Sequence, residues 1–504
     1  MNKIIALRRT SAVSAAAAAL LMMTPAFAAD QYVDPLTLAH RAAAKSFGRY
    51  GDVPLGAVIR ADERYNVNGL FQGPRGWDYW NYLPDPQPYQ DPNLWPDKRP
   101  NYFFGQLGMP AGSTLTLHGR FPYARYFKFN AYKFEHNTFV AVAGSSLAGY
   151  DIEPDPGSGN PFKIGADRLV EKRDWTIRLV AEDPPANPAE RPKNTVYIGK
   201  DEQMLAAGFR IYVSDKGYDG AGWGPADTPS PAGAGVTYEG KLADETALSA
   251  AEVVRRFGRP MGFAPPPLTI DEWYRLVDNK NNDPCMTPAT APACPNSQFE
   301  LFWGMKYTLI GAFMKPEERA KINLQTAMQG GGDPTTEYMV NYLSRKFGPV
   351  YVFRGKLPTF PNTYDGTKIM PDGQVQYWSV VSVASAPSGS LWDGVFDMQV
   401  PLDKDGYYTI VVSRPEDRPK NATRENGVAW IDWGPGEGLN DPRNRKDWGM
   451  LLMRFMVPKK DWEHSPAKAH KPGEAPAVMG SYYPRGYYTD KAGFEKTGPQ
   501  PVGQ

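Results

Sequence analysis

The sequence predicts a mainly β protein: two duplicated β-sandwich or jelly-roll units joined by a helical connector. An internal repeat, a period-two apolar pattern and the turn chemistry between segments point there. The repeat is clearest in PAERPKN (188–194) and PEDRPKN (415–421), which differ only at Ala189/Glu416 and Glu190/Asp417. Matching segments flank both phrases in the same order. LHGRFP (117–122) parallels FRGKLP (353–358), and RYFKFNAY (125–132) parallels QYWSVVSV (376–383). WTIRLVAEDPP (175–185) parallels YTIVVSRPED (408–417), and FRIYVSDK (209–216) parallels MRFMVPKK (453–460). A collinear series of this kind is the mark of a duplicated unit.

Within the repeat the residues alternate. Phe127, Phe129 and Ala131 fall on one face, with Tyr126, Lys128, Asn130 and Tyr132 on the other; Phe209, Ile211 and Val213 oppose Arg210 and Tyr212. That period, rich in aromatic and β-branched residues, describes half-buried antiparallel strands. Asp-Gly pairs at 219–220, 365–366, 372–373 and 405–406 supply turns. The 49 prolines, 49 glycines and 13% aromatic residues fit short strands and long ordered loops.

Between the units the period changes to that of helices. Residues 242–258, 269–279 (Thr269 and Glu272 forming a capping box), 299–313, 316–328 and 335–347 read as helical. A further helix is expected over 35–47. The resulting division is a leader (1–28), an N-terminal helix with an aromatic, proline-rich strap (30–100), a first sandwich (101–240), the connector (241–346), a second sandwich (347–462) and a Pro/Gly-rich tail (463–504).

Residues 1–30 carry Lys3, Arg8 and Arg9, an apolar run over 15–23, and Ala26-Phe27-Ala28, the order of an export signal cleaved near Ala28. The product is expected to be periplasmic or secreted, reached by general secretion or, given Arg8-Arg9, by twin-arginine export. No apolar run is long enough for a transmembrane segment. Fifty-six basic against 55 acidic residues leave no electrostatic footprint for nucleic acid. Cys285 and Cys294 are expected to close a local disulfide in the oxidising compartment.

Phosphate-binding glycine loops, dinucleotide fingerprints and haem-attachment motifs are absent from the sequence, so no cofactor is expected. Candidate chemistry rests on asymmetric residues. WIDWGPGEG (430–438) sets Asp432 between Trp430 and Trp433, with Glu437 on a glycine-rich turn. A carboxylate beside indoles loses water and gains general-acid character, so Asp432 and Glu437 with Arg454 form a candidate catalytic set. The alternative is a structural Asp432 paired to Arg454 or Arg424. Trp77, Tyr79, Trp80 and Tyr82 in the strap, with Trp430 and Trp433, form a candidate ligand wall of flat apolar faces with polar edges. His118 and His136 could meet across adjacent strands and hold a metal with Glu135.

Other motifs read as structure. AGSSLAG (143–149) lacks the final glycine of a nucleophile elbow and is expected to be a small-residue turn. DIEPDPGSGN (151–160) spaces acids as calcium loops do, but has Pro156 and Phe162 where a glycine and a closing acid belong. SPAK (465–468) lies in the expected tail. The repeated phrase reads as a connecting turn, its alternative being a pair of anion sites built on Arg191/Lys193 and Arg418/Lys420.

The closing LLMRFMVPKKDW, through Arg454, Phe455, Pro458 and Lys459, and ENGVAWIDWGPG (425–436) resemble the end of a bacterial exported domain family of unknown function. The resemblance covers about residues 350–461 and implies a small jelly roll without an assigned activity. The leading functional expectation is an exported protein that binds an apolar or sugar-like small molecule or glycan-like ligand on an aromatic surface. The alternatives are a cofactor-independent hydrolase, lyase or isomerase using the carboxylates with an arginine, and a metal-dependent enzyme using His118 and His136.

Overall fold

The computed structural model describes residues 70–75, 97, 99–135, 138–200, 202–218, 222–223, 235–259, 299–302, 335–385, 390–434, 448–471 and 473–499. The chain is mainly β. In order come β1 (Gln72–Arg75), β2 (Asn101–Met109), β3 (Thr114–Arg120), β4 (Ala124–Glu135) and β5 (Thr138–Ala148). Next are β6 (Asp174–Val180), β7 (Thr195–Tyr197), β8 (Glu202–Ser214), β9 (Thr237–Lys241), β10 (Ala247–Leu248), helix α1 (Ala250–Phe257) and β11 (Gly258–Arg259). The second half adds β12 (Glu300–Leu301), β13 (Thr336–Ser344), β14 (Val350–Lys356), β15 (Tyr377–Ser385) and β16 (Ser390–Phe396). β17 (Tyr407–Ser413), β18 (Ala429–Asp432), β19 (Trp448–Met456) and β20 (Arg485–Thr489) complete it, with α2 (Ala475–Met479) and α3 (Lys491–Thr497) on either side of β20.

These strands form four sheets. In spatial order they run β1-β2-β8-β4-β5, with β11 also on β2, and β10-β9-β3-β6-β7; then β12-β13-β19-β15-β16, and β18-β17-β14-β20. The duplication is therefore topological as well as sequential: β2-β8-β4-β5 repeats as β13-β19-β15-β16, and β9-β3-β6-β7 as β20-β14-β17-β18. Two sheets sandwich each core. Phe127, Phe129, Phe209, Trp175 and Ile177 fill the first; Trp378, Val380, Phe353, Ile410 and Phe455 fill the second. Phe127 and Phe209 stack at 5.7 Å and 9° in the middle of the first core. Burying each such ring stabilises the fold by about 1.5–3 kcal/mol.

Several residues shared by the two copies have matching structural tasks. Gly119 sits opposite Trp175, and Gly355 opposite Tyr408, in equivalent registers. A Cβ at Gly119 would come within 2.4 Å of the indole, and one at Gly355 within 2.8 Å of the phenol oxygen, so both copies need glycine there. Val213 and Val457, also equivalent, have φ of 52° and 48°. A β-branched residue in the left-handed region is strained, and both are held there by packing between the units.

Each repeated phrase lies on a crossover. β6 and β7 are parallel, as are β17 and β18, whereas the other paired strands are antiparallel. A parallel neighbour cannot be reached by a tight hairpin, so each phrase carries the chain from one strand to the next. A short 3₁₀ turn starts each phrase, Pro188–Glu190 and Pro415–Asp417. Asn194 then takes φ 55°. Its amide donates to the Glu153 and Thr176 carbonyls, both at 2.8 Å, and its oxygen accepts from the Glu153 amide at 2.8 Å.

Three sequence expectations are corrected. Residues 335–347 are not helical: 336–344 form β13. Tyr338, Met339, Tyr342 and Leu343 mimic helical spacing because the strand buries residues on both faces, which erases the period of two. AGSSLAG lies within β5 rather than in a turn. The second sandwich extends past the expected boundaries, since β13 precedes residue 347 and β20 adds to β14 from the segment read as a tail. In that segment Ser465 caps a 3₁₀ turn, and Met479, Tyr483 and Phe494 are buried. Within 242–258, helix begins only after Ser249, through a capping box with Glu252. The 35–47, 269–279 and 316–328 helices, the leader and Cys285 and Cys294 lie outside the described residues, as does most of 299–313.

The strands expected to be half-buried are buried on both sides. Tyr126, Lys128, Asn130 and Tyr132, opposite the core face of β4, are all under 4% exposed. Part of this outer face meets the matching face of the other unit. Tyr126, Tyr212 and Val213 pack with their counterparts Tyr377, Met456 and Val457, the Tyr212 and Tyr377 rings lying 5.0 Å apart. Charge crosses the junction too. Arg125 Nη1 donates to Asp397 Oδ2 at 2.7 Å with both side chains fully buried, and that carboxylate also accepts from the Trp378 and Met398 amides. Asp97 accepts from Ser379 Oγ at 2.7 Å and Tyr377 Oη at 3.2 Å, and lies 3.7 Å from Arg454 Nε.

Three predictions follow from this architecture. Arg125→Met strands a buried carboxylate and should destabilise the protein by ~3–5 kcal/mol in urea titrations near neutral pH. Burial already pushes the Asp397 carboxyl up against the pull of Arg125, so the loss should shrink in acid as Asp397 takes a proton. Burial also pushes Glu337 on β13 from 4.5 up to about 6. A raised folded-state value means that its stabilising contribution is complete below 4.5 and is lost as pH rises through 6. Glu337→Gln should therefore raise Tm above about pH 7 and leave it nearly unchanged near pH 4, a window set by that shift. Asn194→Ala, losing three hydrogen bonds and a residue tolerant of positive φ, should cost ~2 kcal/mol of unfolding free energy.

Candidate functional site

The second unit departs from the first along the crossover that bears the repeated phrase. In the first unit β7 begins at Thr195, directly after Asn194; in the second, residues 422–428 separate Asn421 from β18. This longer crossover turns through Arg424–Asn426, with Gly427 at φ 74°, before β18 pairs with β17. Trp430 pairs with Val411, whereas Thr195 occupies the matching place opposite Arg178. The first unit thus has a small polar residue where the second has an indole.

A cleft of about 470 Å³ opens beside Trp430. Val428, Ala429 and Trp430 form one wall; Asp393, Gly394 and Val395 of β16 form another. Met398 and Gln399 come from the turn after β16, and Arg418 and Arg424 from the crossover. Trp430 Nε1 donates to Ser413 Oγ at 3.0 Å, which takes up the polar edge of the ring and leaves apolar surface for the cleft. The Arg418 guanidinium stacks on the indole at 4.4 Å while Nε and Nη2 donate to the Ala422 carbonyl. Its acidic neighbour Asp417 is taken by Arg345 at 2.6 Å. Arg424 is exposed and gives Nη1 to the Gln399 carbonyl at 2.8 Å. Asp393 Oδ2 accepts from the Asp432 amide at 3.0 Å.

The residues singled out by sequence separate. Trp430 lines the cleft, but Trp433 is 1% exposed and belongs to the core. Asp432 caps a turn: Oδ1 accepts from the Gly434 amide at 2.9 Å, and its carbonyl accepts from Ser382 Oγ at 2.7 Å. Arg454 does not join it. Arg454 pairs in register with Ser379 on the junction face of β15, whereas Ser382, three residues on, points to the opposite face. The arginine's ion partner is Asp97, from the strap segment, and neither sequence alternative for Asp432 names that pair. Glu437, Trp77, Tyr79, Trp80 and Tyr82 lie outside the described residues.

His118 is exposed on β3, its Nδ1 3.0 Å from Thr176 Oγ1 and its Nε2 3.9 Å from Glu239. β3 and β4 belong to different sheets, so Glu135 is not on a strand adjacent to His118; His136 lies outside the described residues. Among the described residues no group of three His, Cys, Asp or Glu side chains is arranged to hold a metal. In the loop read against a calcium pattern, the Asn160 amide donates to the Gly149 and Ile152 carbonyls, both at 2.7 Å, and closes the loop unaided. Arg191 of the first repeated phrase donates to the Pro185 carbonyl. Cleft residues that sequence reasoning missed are Asp393, Gln399, Arg418 as an indole partner, and Arg424. The one signal was the stretch between PEDRPKN and WIDW that has no counterpart in the first copy.

Among the described residues no helix is long and apolar enough to cross a membrane. No family model and no curated protein matches the chain. Among solved structures it is similar to an uncharacterized protein from Burkholderia cenocepacia at 14% identity, covering 92% of both chains with a TM-score of 0.42. It is also similar to the VPA0106 protein from Vibrio parahaemolyticus at 12% identity, covering 90% of this chain and 98% of that one with a TM-score of 0.37.

Proposed function

We propose that this chain is an exported binding protein whose second unit takes a small ligand in the Trp430 cleft. The carrying observation is an indole whose only polar edge is satisfied internally, set among Val395, Met398 and Val428 in a recess of about 470 Å³. That volume falls in the range of small-molecule sites, ~300–1,000 Å³, and a mostly apolar lining with a few polar groups is their usual composition. The apolar lining favours a ligand with an apolar body over a polyhydroxylated one. Export rests on the leader over residues 1–28. The jelly-roll resemblance of the closing strand agrees with a binding module and brings no activity. An enzymatic reading would need Asp432 beside an arginine, and Arg454 is on the other face of its sheet.

A thermal-shift screen with aromatic acids, lipids and glycans should show stabilisation by ligands with an apolar body. Trp430→Ala should weaken binding by roughly ten-fold or more, as removal of a central aromatic contact does, while circular dichroism remains native. Equal stabilisation of wild type and Trp430→Ala would place the ligand elsewhere and end this reading.

A further inference from the structure

We infer that the Trp430 cleft selects a ligand bearing a carboxylate at the end of an apolar body, an inference that rests on the binding reading above. Three charged side chains line the cleft: Arg418, Arg424 and Asp393. They are not equivalent. Asp393 spends Oδ2 on the Asp432 amide, a fixed backbone donor, so it acts as part of the wall. Arg418 is held by the indole face and the Ala422 carbonyl, and neither contact neutralises its charge. The carboxylate beside it in sequence, Asp417, is turned away to Arg345. Arg424 gives a single nitrogen to a neutral carbonyl, and its other donors meet no acceptor among the described residues. The cleft therefore holds two cationic forks against one carboxylate.

The placement of these forks limits the ligand. Both come from the crossover, one on each side of the inserted 422–428 stretch, while the apolar residues come from β16 and the turn after it, and from the β18 wall. A molecule lying on Val395, Met398 and the indole would carry its body against that wall and present one end to the guanidinium groups. A planar guanidinium pairs with a planar carboxylate through two parallel N–H···O bonds, a geometry that Arg424 has free donors to supply. The combination fits an aromatic or medium-chain monocarboxylic acid.

The test uses the mature chain and matched pairs of probes: benzoate and benzamide, 3-phenylpropionate and its amide, decanoate and decanamide. Isothermal titration should show each carboxylate binding roughly ten-fold or more tightly than its amide, the difference expected of a charge-assisted hydrogen-bonded pair. Arg424→Gln, at an exposed position, should remove most of that preference without changing Tm, and rising salt should weaken the acids more than the amides. Amides binding as tightly as acids would overturn the carboxylate inference while leaving the cleft reading intact. An unchanged acid preference in Arg424→Gln would overturn it too. Failure of all six probes to bind would remove both readings.

Discussion

The outer faces of the two long sheets bury charge where the units meet, and the rest of the structure is arranged around that burial. A fully desolvated ion pair such as Arg125–Asp397 survives only with its lone pairs met, and here the Trp378 and Met398 amides meet them. Asp97 has the same task one layer away, gathering Ser379, Tyr377 and Arg454. Because these groups come from both units, neither sheet can slide on the other without leaving a charge unpaired in a dry interior. The strained backbone at Val213 and Val457 belongs to the same constraint, since both residues are clamped in the junction.

Duplication supplied the symmetry of that junction, and departure from it supplied the cleft. Wherever the copies keep the same residue, a shared packing problem explains it: Gly119 and Gly355 admit an aromatic ring, and the twin prolyl turns begin a parallel crossover. The first crossover ends in an asparagine clamp and proceeds at once to its strand. The second continues through residues 422–428 and returns carrying Arg424, with an indole replacing Thr195. A connection lengthened at the sheet edge disturbs no core contact, which makes it a place where a pocket can arise at little cost to stability.

Much of the scaffold was legible in the chain because its cause is local. Alternation placed Phe127, Phe129, Phe209 and Ile211 in the core, and collinear repetition announced two units of one topology. The failures share a physical origin. Residues 336–344 are apolar on both faces, so their period vanished and helix spacing took its place; the small residues of β5 concealed that strand in the same way. Arg454 was read as a partner for Asp432 because both follow the same repeat, yet alternation sends them to opposite faces of one sheet.

By itself the sequence determined that this is a mainly β, internally duplicated chain, and that chemistry belongs where the copies differ. Those properties follow from side-chain periodicity and from residue identity, which need no knowledge of neighbours in space. Tertiary structure alone decided which differences count. It sent Trp433 into the core and Trp430 to a cleft, gave Arg454 to Asp97, and brought Arg418 and Arg424 beside β16. Such pairings depend on which sheet faces which, a relation set by the packing of strands far apart in the chain and written in no single stretch of it.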